Sequence, residues 1–180
     1  GTDLQSIRLV AKSVQGGYRL NGSKTWITNG IHGSCFAILS KTNPDANPKH
    51  KGMSLFVCEK GDGFQHGKKL KKLGYKSIDS AELVFQDHFV ESERLIGAEE
   101  GHGFQHAVGG LALGRINVAA RGLGLAEAAL SDAVAYARER HTFGKPIGQH
   151  QAIQLKLADM ATRVEAARLL IEQAARKYDT

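Results

Sequence analysis

The feature that most constrains this chain is a change of hydrophobic period near residue 100. Before it, short apolar runs are punctuated by turn signals; after it, apolar residues recur at helical spacing for nearly forty positions. Tyr18-Arg19-Leu20 is followed by Asn21-Gly22, a dipeptide that favours a tight hairpin because both residues tolerate positive φ. Thr25-Trp26-Ile27-Thr28 is closed by Asn29-Gly30. Residues 35–40 and 53–59 are compact apolar runs, and 81–85 alternates. Residues 41–51, with Pro44 and Pro48 and no period, read as a surface loop between strands. The first part is therefore expected to be an all-β sandwich or barrel.

After Glu99-Glu100-Gly101, the residues Phe104, Val108, Leu111, Val118, Leu125 and Ala129 fall at helical spacing or its multiples. The pattern runs to about Arg140, a helix of roughly 38 residues and ~57 Å. One small domain cannot cover such a helix, so it should pack in a larger bundle or against another subunit. Gly109, Gly110, Gly114, Gly122 and Gly124 lie within it. Each interior glycine costs about 0.5–1 kcal/mol relative to alanine. Close packing of another helix or close approach of a ligand would each explain them. Gly144, Pro146 and Gly148 break the helix. A second helix follows, with an apolar stripe of Ile153, Leu157, Met160, Val164, Ala167, Ile171 and Ala174. The expected fold class is α+β: a β-domain over residues 1–100, then long antiparallel helices over 101–180.

Composition narrows the functional classes. Of 180 residues, 42% are hydrophobic and 23% charged, the balance of an ordinary globular chain. No apolar run reaches ~18 residues, so no membrane span is expected. No signal peptide is read in Gly1-Thr2-Asp3, a start that looks truncated. The net charge is +6, much of it in HGKKLKKLGYK at 66–76. Such a patch can meet an anionic ligand, membrane or nucleic acid, but no nucleic-acid-binding module accompanies it, and a solvated lysine face is commoner. Cys35 and Cys58 lie in apolar runs and read as reduced, buried thiols, with no disulfide framework and no four-ligand zinc site.

Three segments could carry chemistry. Trp26 is the chain's one tryptophan and is flanked by hydroxyls. On a strand, Trp26 and Thr28 would share a face and suit a planar heteroaromatic ligand, whereas a core tryptophan with surface threonines is the plainer alternative. RERHTFGK at 138–145 offers an arginine, a hydroxyl and a glycine for an anion; a helix C-terminus with basic charge and a glycine cap explains it equally. His102 and His106 are spaced for a metal, but no H-E-x-x-H pattern or further ligand cluster joins them, and no metal is expected. No nucleophile-elbow sequence is present.

Taken together and in order, five stretches carry a resemblance to one family. They are GTDLQSI from Gly1, NGSKTWITNG from Asn21, KLGYKSIDSAELVF from Lys72, LALGRINVAARGLGLAEAAL from Leu111, and RHTFGKPIGQHQAIQ from Arg140. Along nearly its whole length the chain resembles the acyl-CoA dehydrogenases. The resemblance implies a middle β-domain followed by the first two helices of a four-helix C-terminal domain, so that the bundle here is incomplete. It implies FAD as cofactor and α,β-dehydrogenation of acyl-CoA thioesters. Trp26, Ile27 and Thr28 match the segment against the flavin ring, with the Thr28 hydroxyl near N5. Gly1 and Thr2 match the end of a loop touching FAD and the thioester. Arg140, His141, Thr142 and Phe143 match a segment that holds the pyrophosphate and adenine of FAD, generally from a neighbouring subunit, and His150 and Gln151 complete it. Arg115 matches an arginine that meets CoA. The implied partners are the acyl-CoA substrate, an electron-transfer flavoprotein as acceptor and further copies in a homotetramer. The implied location is the cytoplasm in a bacterium or the mitochondrial matrix in a eukaryote. No catalytic residue is assigned here: the glutamate base is expected beyond Thr180. Members that place it on the long helix have it where this chain has Gly114, and an aspartate of some members is replaced by Ala112. An acyl-CoA oxidase and a non-catalytic assembly protein on the same scaffold are the alternatives.

Overall fold

The structure is a computed structural model describing residues 3–179, so Gly1 and Thr2 lie outside the described residues. It divides into two compact units, Gly1–Gly109 and Gly110–Thr180.

In the first unit six strands form one sheet: β1 (Val10–Val14), β2 (Gly17–Thr28), β3 (Cys35–Lys41), β4 (Met53–Glu59), β5 (Phe64–Lys69) and β6 (Ser80–Glu91). Their order is β4-β3-β1-β2-β6-β5, antiparallel except where β1 meets β3. In a flat sheet β3 and β5 would stand about 19 Å apart, four spacings of ~4.8 Å. Yet the Phe36 and Phe64 rings stack with centroids 5.6 Å apart, and Tyr18 of β2 meets Phe56 of β4 at 4.8 Å. The sheet therefore curls on itself, and alternate side chains fill the roll: Leu9, Leu20, Ile38, Phe56, Leu83 and Phe85 are each at most 2% exposed.

Two sequence expectations fail here for identifiable reasons. Asn21-Gly22 is not a hairpin turn: β2 runs through it, and the turn is Gln15-Gly16, where Val14 pairs Gly17. Opposite it β6 bulges: Leu20 pairs His88 and Gly22 pairs Phe85, so Asn21 alone faces Gln86 and Asp87. Asn21 exchanges side-chain hydrogen bonds with Asp87 (2.8 and 2.9 Å), and Gly22, at φ 130°, leaves room for the Leu9 backbone, which a Cβ would meet at 2.9 Å. Cys35 is exposed, not buried; only Cys58 is in the core.

The second unit contains most of α1 (Gly103–Glu139), a hairpin of β7 (His141–Thr142) and β8 (Lys145–Pro146), and α2 (Gln151–Asp179). The first turns of α1 belong to the β unit. There Gly101 N–H donates to Ser54 Oγ (3.0 Å), the Tyr18 hydroxyl donates to Glu100 (2.8 Å), and Gly103 sits where a Cβ would lie 2.4 Å from Ser54. Arg168 of α2 reaches Glu127 of α1 at 2.7 Å, well before the end of α1, so the helices run antiparallel. The α2 stripe from Ile153 to Ile171 is half-covered, Ala174 is exposed, and no α2 residue is buried. On α1 the half-covered or buried positions beyond residue 120 are Leu123, Glu127, Leu130, Ala133, Val134 and Ala137; nearer its start they are Gly103, Phe104, Ala107, Ala112, Gly114 and Ile116. Of the positions that defined its period in sequence, Val108, Leu111, Val118 and Leu125 are 37–66% exposed and Ala129 is exposed, while Phe104 is half-covered. Nothing approaches a Cβ placed at any of the five α1 glycines beyond Gly103 within 4 Å. Among the described residues no helix is long and apolar enough to cross a membrane.

Candidate functional site

The end of β2 is irregular. Lys24 pairs Leu83 and Ile27 pairs Ala81, so Thr25 and Trp26 together oppose one residue of β6. This bulge holds Trp26 at φ 64°, a left-handed conformation that costs a bulky residue about 1–3 kcal/mol. The bulge places Ile27 against the core and leaves Trp26 63% exposed and Thr28 exposed. Trp26 is therefore not a core residue within this chain. The following turn opens with Asn29, also left-handed at φ 55°. It is held from β6: Asn29 N–H donates to the Asp79 carbonyl (3.0 Å) and Ile31 N–H to Asp79 Oδ2 (2.8 Å). Lys60 adds a bond from its ammonium to the Ile31 carbonyl (2.6 Å). Hydrogen bonding from Ile31, reinforced by His32 and Lys69, keeps the Asp79 carboxyl below its ordinary pKa. Nothing in the sequence pattern singled out Asp79; the one signal was its place immediately before the alternating run of β6.

At this same end of the sheet Leu70 N–H donates to the Ser80 carbonyl, and Ser80 pairs Thr28. The lysine-rich segment leaves β5 there. Lys69, Lys72 and Lys76, with Leu70 and Ile78, border an open cavity of about 550 Å³, and Leu73 is fully exposed.

In the second unit the candidate residues gather on the β7–β8 hairpin. Phe143 and Gly144 form its two-residue tip, both with positive φ (50° and 77°), and Thr142 pairs Lys145. Gly144 is thus a hairpin residue and not a helix cap. Thr142 Oγ1 and His150 Nε2 hydrogen-bond at 2.9 Å, tying the hairpin to the start of α2. The His150 carbonyl accepts the Ile153 and Gln154 N–H groups (2.9 and 3.0 Å), which opens that helix; Gln151, its first residue, is exposed. His141 Nδ1 bonds the Glu139 carbonyl (2.9 Å). The Arg140 carbonyl accepts Ile147 N–H at 2.7 Å while its side chain stays exposed. Phe143 is 96% exposed, its ring 6.0 Å from that of His150. A guanidinium, a hydroxyl and an uncovered phenyl ring are thereby presented together on a constrained loop.

Arg115 is exposed on α1, and Gly114 before it carries no functional group. Glu127 is engaged by Arg168. His102 lies 3.5 Å from Glu99, whereas His106 packs on Gly97, so the two histidines have different neighbours. Thr2 lies outside the described residues.

Comparison with known proteins identifies the family. Residues 1–88 match the family model for the acyl-CoA dehydrogenase middle domain, and residues 101–180 that for the acyl-CoA dehydrogenase C-terminal domain. An acyl-CoA dehydrogenase of Bacillus subtilis (strain 168) is 47% identical over 97% of this chain and 46% of its own length. The structure of butyryl-CoA dehydrogenase from Megasphaera elsdenii superposes with a TM-score of 0.91 at 43% identity, covering 99% of this chain and 47% of that one. A structure of PigA with FAD and proline superposes with a TM-score of 0.94 at 34% identity, over 99% and 46%. The chain spans somewhat under half the length of the relatives it matches.

Proposed function

This chain belongs to the acyl-CoA dehydrogenase family, and from that footing we propose that the protein oxidises acyl-CoA thioesters at Cα–Cβ with FAD as cofactor. The observation that carries the proposal is Trp26: a strand bulge holds an aromatic side chain out of the core, in a costly backbone conformation, beside an exposed hydroxyl. That arrangement suits a planar ring system. Leaving Phe143 96% exposed forgoes about 1.5–3 kcal/mol of burial, which a bound adenine would recover. The donor chemistry of both segments therefore fits a flavin dinucleotide.

Within this reading each residue has a defined task. Trp26 would shield the flavin ring from water, Ile27, packed on the core, would anchor the segment beside it, and the Thr28 hydroxyl would hydrogen-bond the ring's edge. Arg140 pairs with the pyrophosphate through charge-assisted bonds, and Thr142, held by His150, adds a hydroxyl. His141, Phe143 and Gln151 complete the nucleotide contacts, while Thr2 and Arg115 meet the thioester and CoA. Bound FAD supplies the hydride acceptor. An α-proton must leave at the same time; on α1 the residue before Arg115 is Gly114 and Glu127 is tied to Arg168. On the family resemblance the base is proposed to lie beyond Thr180.

We further propose an electron-transfer flavoprotein as acceptor, a homotetramer, and a cytoplasmic location in a bacterium or a matrix location in a mitochondrion. The domains are assigned as 1–100 and 101–180.

The test is anaerobic mixing of the FAD-loaded full-length protein with acyl-CoAs of several chain lengths. Bleaching of the oxidised flavin band by at least one thioester, and not by the free acid, is expected. A flavin band unchanged by every thioester would contradict the assignment.

A further inference from the structure

The segment that presents Trp26 and Thr28 is closed on itself by two backbone bonds, Gly30 N–H to the Ile27 carbonyl (3.2 Å) and Gly33 N–H to the Asn29 carbonyl (2.6 Å). Two of its residues, Trp26 and Asn29, take left-handed backbone conformations, and only Ile27 packs on the core. From outside, the turn is held by Lys60, whose ammonium reaches the Ile31 carbonyl, and at two points by Asp79, the residue immediately before β6. The main-chain carbonyl of Asp79 accepts Asn29 N–H, and its carboxylate accepts Ile31 N–H, so one residue grips the turn at two points (3.0 and 2.8 Å). Asp79 is only 4% exposed, and it is joined to Ser80, which pairs Thr28 across the ladder. Its second carboxylate oxygen, Oδ1, is buried with no hydrogen-bond partner among the described residues.

A neutral asparagine could accept the same Ile31 bond without bringing a charge out of water, so the turn alone does not require a carboxylate. The carboxylate has basic neighbours: the His32 imidazole follows Ile31, and the Lys69 ammonium stands opposite Ala81 on β5. We propose that Asp79 is the positioning residue of the flavin-facing segment, fixing Trp26 and Thr28 through the turn at 29–31. The proposal rests on the flavin reading above for its functional meaning, but the clamp itself can be measured without flavin.

The experiment compares the full-length wild type with Asp79→Ala and Asp79→Asn. Amide hydrogen exchange reads the clamp in the apo protein, and the visible flavin band with the FAD dissociation constant reads its consequence. In Asp79→Ala, exchange across residues 27–33 should quicken by about ten-fold or more, as expected for losing a bond to a charged acceptor. Peptides of β3 and β4 should exchange at the wild-type rate. The flavin band should shift and FAD should bind more weakly, with Asp79→Asn intermediate because it keeps an acceptor. Unchanged exchange at 27–33 would overturn the proposal. So would a uniform quickening that includes β3 and β4, which would make Asp79 an ordinary contributor to stability. A wild type that takes up no FAD would remove the flavin reading, while the exchange data would still decide the clamp.

Discussion

The two units handle the same apolar resource differently. In the β unit, alternate side chains from six strands and the loops beside them converge in one roll, and Phe56, Leu83 and Leu20 are fully enclosed. In the helix pair, α2 has no buried residue, and Leu125, Leu155, Leu169 and Leu170 are 58–66% exposed. A sheet can curl until it covers itself, but two antiparallel helices can cover only one stripe each. The helical unit therefore leaves large apolar side chains uncovered within this chain. The positions at Gly109, Gly110, Gly114, Gly122 and Gly124 are likewise open, with nothing within 4 Å of a Cβ placed there.

The contrast can be broken most sharply by core truncation. Phe56→Ala, in a fully buried position beside Tyr18, should cost about 3–5 kcal/mol in urea unfolding of the 180-residue chain. Leu170→Ala, at a site 66% exposed, should stay within about 0.5 kcal/mol. Comparable losses would mean that α2 already has its partner. A second comparison sharpens the same point. Leu125→Ala should be nearly neutral in the 180-residue chain but cost about 2–3 kcal/mol in the assembled full-length protein, where its face is expected to be covered. Light scattering should show the 180-residue chain associating at micromolar concentration, and a stable monomer would count against an uncovered interface.

Alkaline pH should weaken the β unit. Burial, with Cys35 nearby, pushes the Cys58 thiol up to about 12, and burial with the Glu100 hydrogen bond does the same for the Tyr18 hydroxyl. Both groups keep their protons in the fold at pH values where the unfolded chain has released them. Their stabilisation is complete below the ordinary values of 9.0 and 10.0 and is lost as pH rises towards about 12. A melting temperature that is flat across that window would contradict this. A small effect is expected for the helix–helix ion pair. Arg168 and Glu127 side chains are 41% and 37% exposed, so Arg168→Ala should cost no more than about 1 kcal/mol in a denaturant melt.

Much of this was legible in the residues. The shift of period near 100 marks the approach to α1 at Gly103, and Gly144-Lys145-Pro146 marks the break before α2. Local pattern misled where a long-range contact decided the outcome. Asn21-Gly22 looked like a hairpin because its φ tolerance is real, but here Asn21 bonds the β6 bulge at Asp87 and Gly22 makes room for the Leu9 backbone. The run around Cys35 looked buried throughout, yet its first residue faces out at the strand end. The α1 stripe was visible as a period, but period does not say which of two apolar faces meets α2. Asp79 left no trace in the pattern because its partners, Asn29 and Ile31, are backbone groups.

Both regions are assigned parts of one cofactor's binding, and flavin titration of the full-length protein tests that most directly. Arg140→Ala removes a charge-assisted contact of about 1.5–3 kcal/mol, and FAD should bind roughly 10- to 100-fold more weakly by fluorescence titration. Equal FAD affinity in the wild type and the variant would contradict the role given to the hairpin and, with it, the account of the second unit as part of a flavin site.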